Sequence, residues 1–529
     1  MEGLSVGDRL LSRRAFLAGS AALSAAFALG LTGCAKTEPQ DTRSFGGGTI
    51  TASFATTADS FHPCTATAPL ARSGNLHVLE PLYESNPTSY EVLPALADGF
   101  PRFQDDGTCT IRIRDDARFS TGAAVTAADV VESYERFATL NPTLAQHLDF
   151  IADMQATDDQ TISITLARPF TFVEERLQMV KVFPAAQSYE EANASPVGSG
   201  PWRYASFENK KLIFLPNDSY NGPHTVLDNE MDWSIIPDDV NRVRTQNDGW
   251  TMAMQDVPGD SAVQLNNAGM DVDITQGFDA PFFAFRTDAG PFADARVRQA
   301  VFYSIDTNEL VDMALAGHAS VPTCFLPVNH PDNDHTDTFY YYDPDRAKEL
   351  LSDAGVSQVS FTLDCANDAV LSSIVPQIKA NLEATGLFQV TLRQRDAQDL
   401  YNDVDAGDSN VVAILDRQDP LAYASDACFI MEWWYKDPRW MGKRTGWSST
   451  DEYGQLQDLL DAAEAGEGDD RHAAILDCMN LIADQAVIYP LLHLQSATAF
   501  NRAKIDGGVA MGGDELYLLD AATVVQEDE

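Results

Sequence analysis

Residues 119–137 read FSTGAAVTAADVVESYERF, and this stretch sets the rhythm of the chain around it. Thr126-Ala127-Ala128-Asp129 is a capping box, in which the threonine hydroxyl takes the amide three residues on and the Asp129 carboxylate returns the bond. Val130, Tyr134 and Phe137 then recur on one helical face. Just upstream, residues 108–114 (TCTIRIR) alternate with period two after the turn dipeptide Asp106-Gly107, and downstream residues 161–166 (TISITL) alternate in the same way. Strand, capped helix and strand follow one another.

The same interleaving continues outward. Asp343-Pro344 supplies an N-cap and a first-turn proline ahead of Ala347, Leu350, Leu351 and Ala354, with Gly355 at the stop. Val297, Ala300, Val301 and Ser304 line another helix, and Leu310, Val311, Ala314 and Leu315 a third that ends at Gly317. Leu456, Leu459, Leu460 and Ala463 form one late stripe; Ile475, Met479 and Ile482 form the next. A mixed α/β (α+β) order without strict βαβ alternation predicts lobes joined by chain crossovers. A length of 529 residues predicts more than one domain.

Acids outnumber bases, 79 to 35, for a formal charge of −44. Such a surface repels phosphate backbones and anionic lipid, which argues against a nucleic-acid binder or a basic peripheral membrane protein. The beginning of the sequence carries an address. Ser12-Arg13-Arg14-Ala15-Phe16-Leu17 is a twin-arginine export pattern, followed by an uncharged apolar run from Ala15 to Leu31. Leu31-Thr32-Gly33-Cys34 resembles a lipobox, in which the chain is cut before an acylated Cys34; an uncleaved membrane anchor is the alternative. Residues 1–33 are therefore expected to be a signal peptide and 34–48 a flexible polar tether. Cys64, Cys109, Cys324, Cys365, Cys428 and Cys478 remain; their wide spacing contains no CxxC and fits bridges or buried thiols equally.

Enzyme signatures are missing: there is no HExxH, GxSxG, GxxxxGK[ST] or helix-opening GxGxxG. His330-Pro331-Asp332-Asn333-Asp334-His335 offers metal-ligand atoms, but its proline and asparagine read first as a solvated turn. Trp433, Trp434, Trp440 and Trp447 gather four of the seven tryptophans within a short span, suited either to core or to a wall that stacks on a flat ligand.

Several runs together resemble the family 5 solute-binding proteins of ABC importers. They are residues 79–83 (LEPLY), 93–97 (LPALA), 112–120, the 119–131 stretch, 196–202 (PVGSGPW), 294–300 (DARVRQA) with Ile305-Asp306, 343–355, and 445–448 (TGWS), in family order. Asp129 and Asp294 at helix starts are expected to be caps, Arg296 and Arg298 structural partners, and Gly198 and Gly200 positive-φ positions that admit close backbone approach. The resemblance implies a periplasmic-binding-protein-like fold of type II (cluster C), with two large lobes, a hinge and an extra smaller domain. Lobe I would combine 49–75, 191–277 and 486–529; the extra domain would be 76–190; lobe III would be 278–485.

In peptide-binding members an aspartate in a W-x-x-D-x-x-D-P pattern meets the ligand's ammonium. This chain has Ala413-Ile414-Leu415-Asp416-Arg417-Gln418-Asp419-Pro420, which puts Asp416 on the anchoring position, Asp419 on the following turn, and Ala413 in place of the tryptophan. Val412 and Ile414 would offer main-chain groups to an extended peptide. Trp433 and Trp434 would replace the missing aromatic wall, and His62 stands where the family often has an acid. The expectation is a monomeric, lipid-anchored binding protein with no cofactor and no catalysis, capturing oligopeptides for an ABC permease. Alternatives are a nickel or haem-like complex held by His330, His335 or His62, an oligosaccharide stacked on Trp433–Trp447, and, more distantly, an exported hydrolase.

Overall fold

The computed structural model describes residues 44–525 apart from 105, 409, 421 and 422. These belong to one unit, Ser44–Glu529. The signal peptide, most of the tether and Cys34 lie outside the described residues.

The helix read from the opening stretch spans Ala127–Leu140, and both halves of its capping box form: Thr126 accepts from the Asp129 amide at 3.3 Å, and Asp129 accepts from the Thr126 amide at 3.0 Å. Its buried stripe includes Val130, Tyr134 and Phe137. The flanking strands, Thr108–Arg112 and Thr161–Leu166, pair antiparallel with one another in a four-stranded sheet completed by Arg102–Phe103 and Ile151–Ala156.

The largest sheet draws on four separated stretches of chain, the smallest being Ala319–Ser320, which pairs with His493–Phe500. Thr49–Phe54 sits between the parallel neighbours Glu230–Ile235 and Ala253–Met254. Lys211–Pro216 and Trp202–Glu208 extend one side antiparallel, while His493–Phe500 and Asp271–Gln276 extend the other. A five-stranded sheet runs Phe388–Arg395, Val359–Ala366, Ala413–Gln418, Ala280–Phe285, Ile488–Pro490. Ala280–Phe285 is buried along its whole length because strands flank it on both sides, which is why its sequence, APFFAF, is apolar without alternation.

Asp294 caps Ala295–Tyr303 as expected, accepting from the Arg296 amide at 2.9 Å, and Arg296 pairs with it at 2.6 Å. Arg298 is held through backbone: its buried guanidinium donates to the carbonyls of Phe292 and Gln485, both at 2.7 Å. Gly198 and Gly200 differ as well. Neither has positive φ; what demands glycine is contact, since a Cβ at Gly198 would lie 1.9 Å from the Val78 carbonyl oxygen and one at Gly200 would lie 2.7 Å from that of His77. The six described cysteines are free and buried. No helix among the described residues is long and apolar enough to cross a membrane.

Candidate functional site

A cavity of about 210 Å3 opens where stretches distant in sequence converge. Its walls come from residues 63–90, including the helix Pro69–Val78, from the 137–144 and 178–181 segments, from the loop after strand Ala413–Gln418, and from the tail at 511–519. Two buried side chains fix the tail on the helix. Ser73 accepts from the Leu516 amide at 3.0 Å, and His77 Nε2 accepts from the Leu518 amide at 2.9 Å while Nδ1 donates to the Ser73 carbonyl at 2.7 Å. Burial pushes the His77 imidazole down to about 4, so it stays neutral and keeps this tautomer. The glycine-bearing 196–202 run packs behind the end of the same helix.

One end of the cavity is acidic. Asp419 stands just past the strand Ala413–Gln418, and its Oδ1 is buried without a hydrogen-bond partner. Burial, with Asp279 and Glu515 adding repulsion and Arg72 opposing, holds its carboxyl well above the usual carboxylate range. Gly513 lets the chain pass tightly here, since a Cβ on it would come 3.1 Å from Asp419 Oδ2 and 2.4 Å from Glu515. Arg72 is bound to Glu515 at 2.6 Å and lies over the Tyr423 ring, 6.0 Å from its centroid. Elsewhere on the wall, Glu80 takes two bonds from Arg114 at 2.8 and 2.9 Å. His224 bridges Glu84 and Asp520, each at 3.1 Å; burial alone would lower its imidazole, but the two carboxylates raise it to about 10.

The residues singled out from the sequence divide. Asp419 lines the cavity. Asp416, three residues earlier, is buried away from it and accepts from the Tyr401 hydroxyl; burial raises its carboxyl, and the Tyr401 bond opposes. Ile414 lies inside the sheet, paired with Ala284 on one side and Asp364 on the other, and the Val412 carbonyl accepts from the Arg286 amide at 2.9 Å. Trp433 is half-buried, donates to Gln418 at 2.6 Å, and stacks on the cavity residue Tyr423 with centroids 5.5 Å apart. Trp434 packs in the core against Phe278, Phe282 and Phe325. His62 is buried beside the cavity residue Pro63; its Nδ1 accepts from the Cys64 amide at 3.1 Å and its ring stacks on Tyr189. His330 is buried, with Nε2 2.8 Å from the Ser425 carbonyl and Nδ1 accepting from the Asp332 amide, and His335 is exposed. Among the described residues no group of three or more His, Cys, Asp or Glu is arranged to hold a metal.

Arg72, Glu84, Lys181, His224, Tyr423 and Glu515 were not marked by sequence reading. Only Lys181 leaves a local trace, as one cation inside the apolar run MVKVF.

Residues 91–438 match the family model described as bacterial extracellular solute-binding proteins, family 5, middle. The chain belongs to this family. Among curated relatives, it is 25% identical over 342 residues to the heme-binding protein A of Haemophilus influenzae, covering 56% of this chain and 62% of that protein. It is 27% identical over 275 residues to the glutathione-binding protein GsiB of Pectobacterium atrosepticum, covering 50% and 53%. The chain thus spans between half and two thirds of the length of these relatives. Among solved structures, the periplasmic binding protein DppA of Helicobacter pylori, in complex with the peptide STSA, superposes with a TM-score of 0.73 at 20% identity, covering 91% of this chain and 98% of that one. The fold is that of the type II periplasmic binding proteins, mixed α/β with two lobes and an extra domain. Family 5 comprises extracellular binding proteins, not enzymes. Within this member, the 79–83 signature run contributes wall residues, Asp419 comes from the 413–420 pattern, and Lys181 and Glu515 lie outside the runs that carry the resemblance.

Proposed function

We propose that this chain is the monomeric, lipid-anchored solute-binding component of an ABC importer, which captures oligopeptides in the cavity and delivers them to a membrane permease. The twin-arginine segment is its export address and Cys34 its acylated residue. The lobes 49–75 with 191–277 and 486–529, and 278–485, close over the solute, with 76–190 as the extra domain. The sharing of one sheet by strands Thr49–Phe54, Trp202–Glu208 and His493–Phe500 supports that division, and burial of the solute stabilises the closed state.

The observation that carries the peptide reading is the unpartnered, buried oxygen of Asp419 on an acidic wall. A buried carboxylate is costly alone, and a peptide's ammonium supplies both the countercharge and the missing donor. Asp419 is therefore the anchor. Asp416, already bonded to Tyr401, together with Val412 and Ile414 in the sheet, holds the strand that presents it. Trp433 backs the Tyr423 wall, and His62 steadies the Pro63-Cys64 edge. No comparable observation favours a metal complex or a stacked sugar: His330 is engaged by backbone, and Trp434, Trp440 and Trp447 are buried in the core.

Titration calorimetry of the full chain with di-, tri- and tetra-alanine tests this. Asp419→Asn should weaken the best ligand by about 2–5 kcal/mol, and Asp416→Asn by much less. The reverse ranking returns the anchor to Asp416, and absence of binding across the series refutes the peptide reading.

A further inference from the structure

The stretches 76–190 and 278–485 meet along a seam that runs from the interior to the cavity rim. At its inner end Arg176, from the first stretch, is fully buried against Asp426 and Glu432 of the second, donating to them at 2.7 and 3.0 Å. Arg168 crosses to Glu464 at 2.8 Å. The Thr171 amide donates to the Glu464 carbonyl at 2.8 Å, and its hydroxyl donates to the carbonyls of Glu464 and Gly466 at 2.9 and 3.0 Å. At the outer end the cavity residues Ser85 and Ser425 bring their hydroxyl oxygens to 3.3 Å, and Asn329 donates to the Tyr90 hydroxyl at 3.0 Å. Tyr90 has a φ of 58°, a left-handed conformation that costs a bulky residue and persists where its surroundings hold it. Neighbours in sequence couple the two ends. Asp426 directly follows Ser425, and Gln178, a wall residue two positions past Arg176, accepts from the Ser85 hydroxyl at 2.7 Å.

The opposite face of the 76–190 stretch is built differently. The chain joins it at both ends to 49–75 and 191–277, and Gly198 and Gly200 crowd against the Val78 backbone. Ions that part recover their hydration, which offsets much of the attraction they lose, whereas a crowded backbone crossing has no such return. We propose that the Arg176 seam is a latch: the cavity opens there, and the latch sets the balance of open and closed chain without touching the solute. The inference rests on the closing lobes of the proposed function and is independent of a peptide as the solute. A cavity that is shut for less of the time binds more weakly by the same factor, so affinity depends on residues the solute never meets.

The test is amide hydrogen exchange of the full chain without added solute, resolved to single residues and corrected for each residue's unstructured rate. The Thr171 amide reports the seam, and the Gly200 amide, which donates to the Val78 carbonyl at 2.9 Å, reports the opposite face. Wild type should open at Thr171 ~10-fold or more often than at Gly200. Thr171→Val keeps the reporting amide and the side-chain shape but loses both hydroxyl bonds; it should raise exchange at residue 171 by a further ~5-fold and leave Gly200 unchanged. Arg176→Met should raise it by ~100-fold or more, again with Gly200 behind. Equal protection of the two amides in wild type, or equal losses at both in either variant, overturns the latch, because the chain then opens only by unfolding as a whole. Calorimetry with tri-alanine keeps the solute reading separate: split exchange without binding leaves the latch and removes the peptide, and binding with unsplit exchange does the reverse.

Discussion

Replacing Arg176 with methionine should lower stability by an amount that depends on pH. Arg176, on the helix Val173–Leu177, is fully buried. Its Nε and Nη2 donate to Asp426 at 2.7 and 3.0 Å, Nη2 also reaches Glu432 at 3.0 Å, Nη1 donates to the His147 carbonyl at 3.0 Å, and Glu464 lies 3.6 Å away. Three buried carboxylates thus face one guanidinium, with Lys436 bound to Glu432 at 2.9 Å and Arg168 bound to Glu464 at 2.8 Å as further cations. Methionine keeps an apolar stem between Phe170 and Phe429, the rings Arg176 now touches, and removes the charge. Removing one partner of a buried ion pair costs about 3–5 kcal/mol. At roughly 2.1 cal/mol/K per residue, a unit running from Ser44 to Glu529 has an unfolding entropy near 1 kcal/mol/K, so Tm should fall by about 3–5 °C. The pH sign follows from the acids. Burial pushes Glu432 up, but Arg176, His147 and Lys436 together hold it well below its ordinary range; Glu464 is pushed up to about 8 by burial and Glu432, with Arg176 opposing. Without Arg176 both folded-state values rise, that of Glu464 further above its unfolded value and that of Glu432 upward from below its own. The variant's folded state then binds more protons than the wild-type folded state does, and its stability relative to wild type falls as pH rises. Differential scanning calorimetry at pH 5 and pH 8.5 should find the loss larger at the higher pH. A loss that is equal at both values, or negligible at pH 8.5, refutes the view that Arg176 neutralises these acids.

Two further outcomes follow from the site and its support. Because the Asp419 carboxyl is held well above its ordinary range, peptide binding must displace its proton, and affinity for an alanine peptide should rise with pH by up to about tenfold per unit until Asp419 ionises. Above about pH 8 it should fall as the peptide's own amine deprotonates; Asp419→Asn should lose the acid limb, and calorimetry that finds the limb intact in that variant removes Asp419 as its source. Gly198→Ala places a Cβ 1.9 Å from the Val78 oxygen and 2.6 Å from its carbonyl carbon, both backbone atoms that cannot swing away. It should cost about 3 kcal/mol or more and weaken solute binding through the displaced 78–81 wall, whereas an unchanged denaturation midpoint would contradict the packing.

What was legible in the sequence is what short-range geometry decides. Capping boxes close within three residues, so Thr126–Asp129 could be read without knowing the partner elements, and the strands around it follow from alternation. The choice between Asp416 and Asp419 was of another kind. Both lie on one short stretch, and which of them faces a cavity depends on where the helix Ala397–Asp405 delivers Tyr401, a contact that the local pattern does not contain. The tryptophans make the same point. Trp433 and Trp434 are adjacent in sequence, yet on the helix Ala427–Tyr435 they diverge, one under Tyr423 and the other into the phenylalanine core. Gly198 and Gly200 are positions of close approach without positive φ, a distinction the sequence does not make because glycine serves crowding and left-handed turns alike. Arg72, Lys181, Glu515 and Asp419 meet only through the tertiary fold.

That division of labour bears on how one scaffold serves different solutes. Most of the family's signature runs cap helices or admit tight backbone crossings, as at Asp129, Asp294 and Gly198, while the 79–83 run also lends Leu79, Glu80 and Pro81 to the cavity wall. The other charges on this cavity wall come from side chains on stretches far apart in sequence. Lys181 interrupts a buried apolar run whose flanking residues carry the packing, and Asp419 follows a strand already fixed by its neighbours. On the proposed reading, solute choice rests on these wall charges rather than on the caps and crossings, so the fold is readable at low identity while the solute must be sought in the cavity.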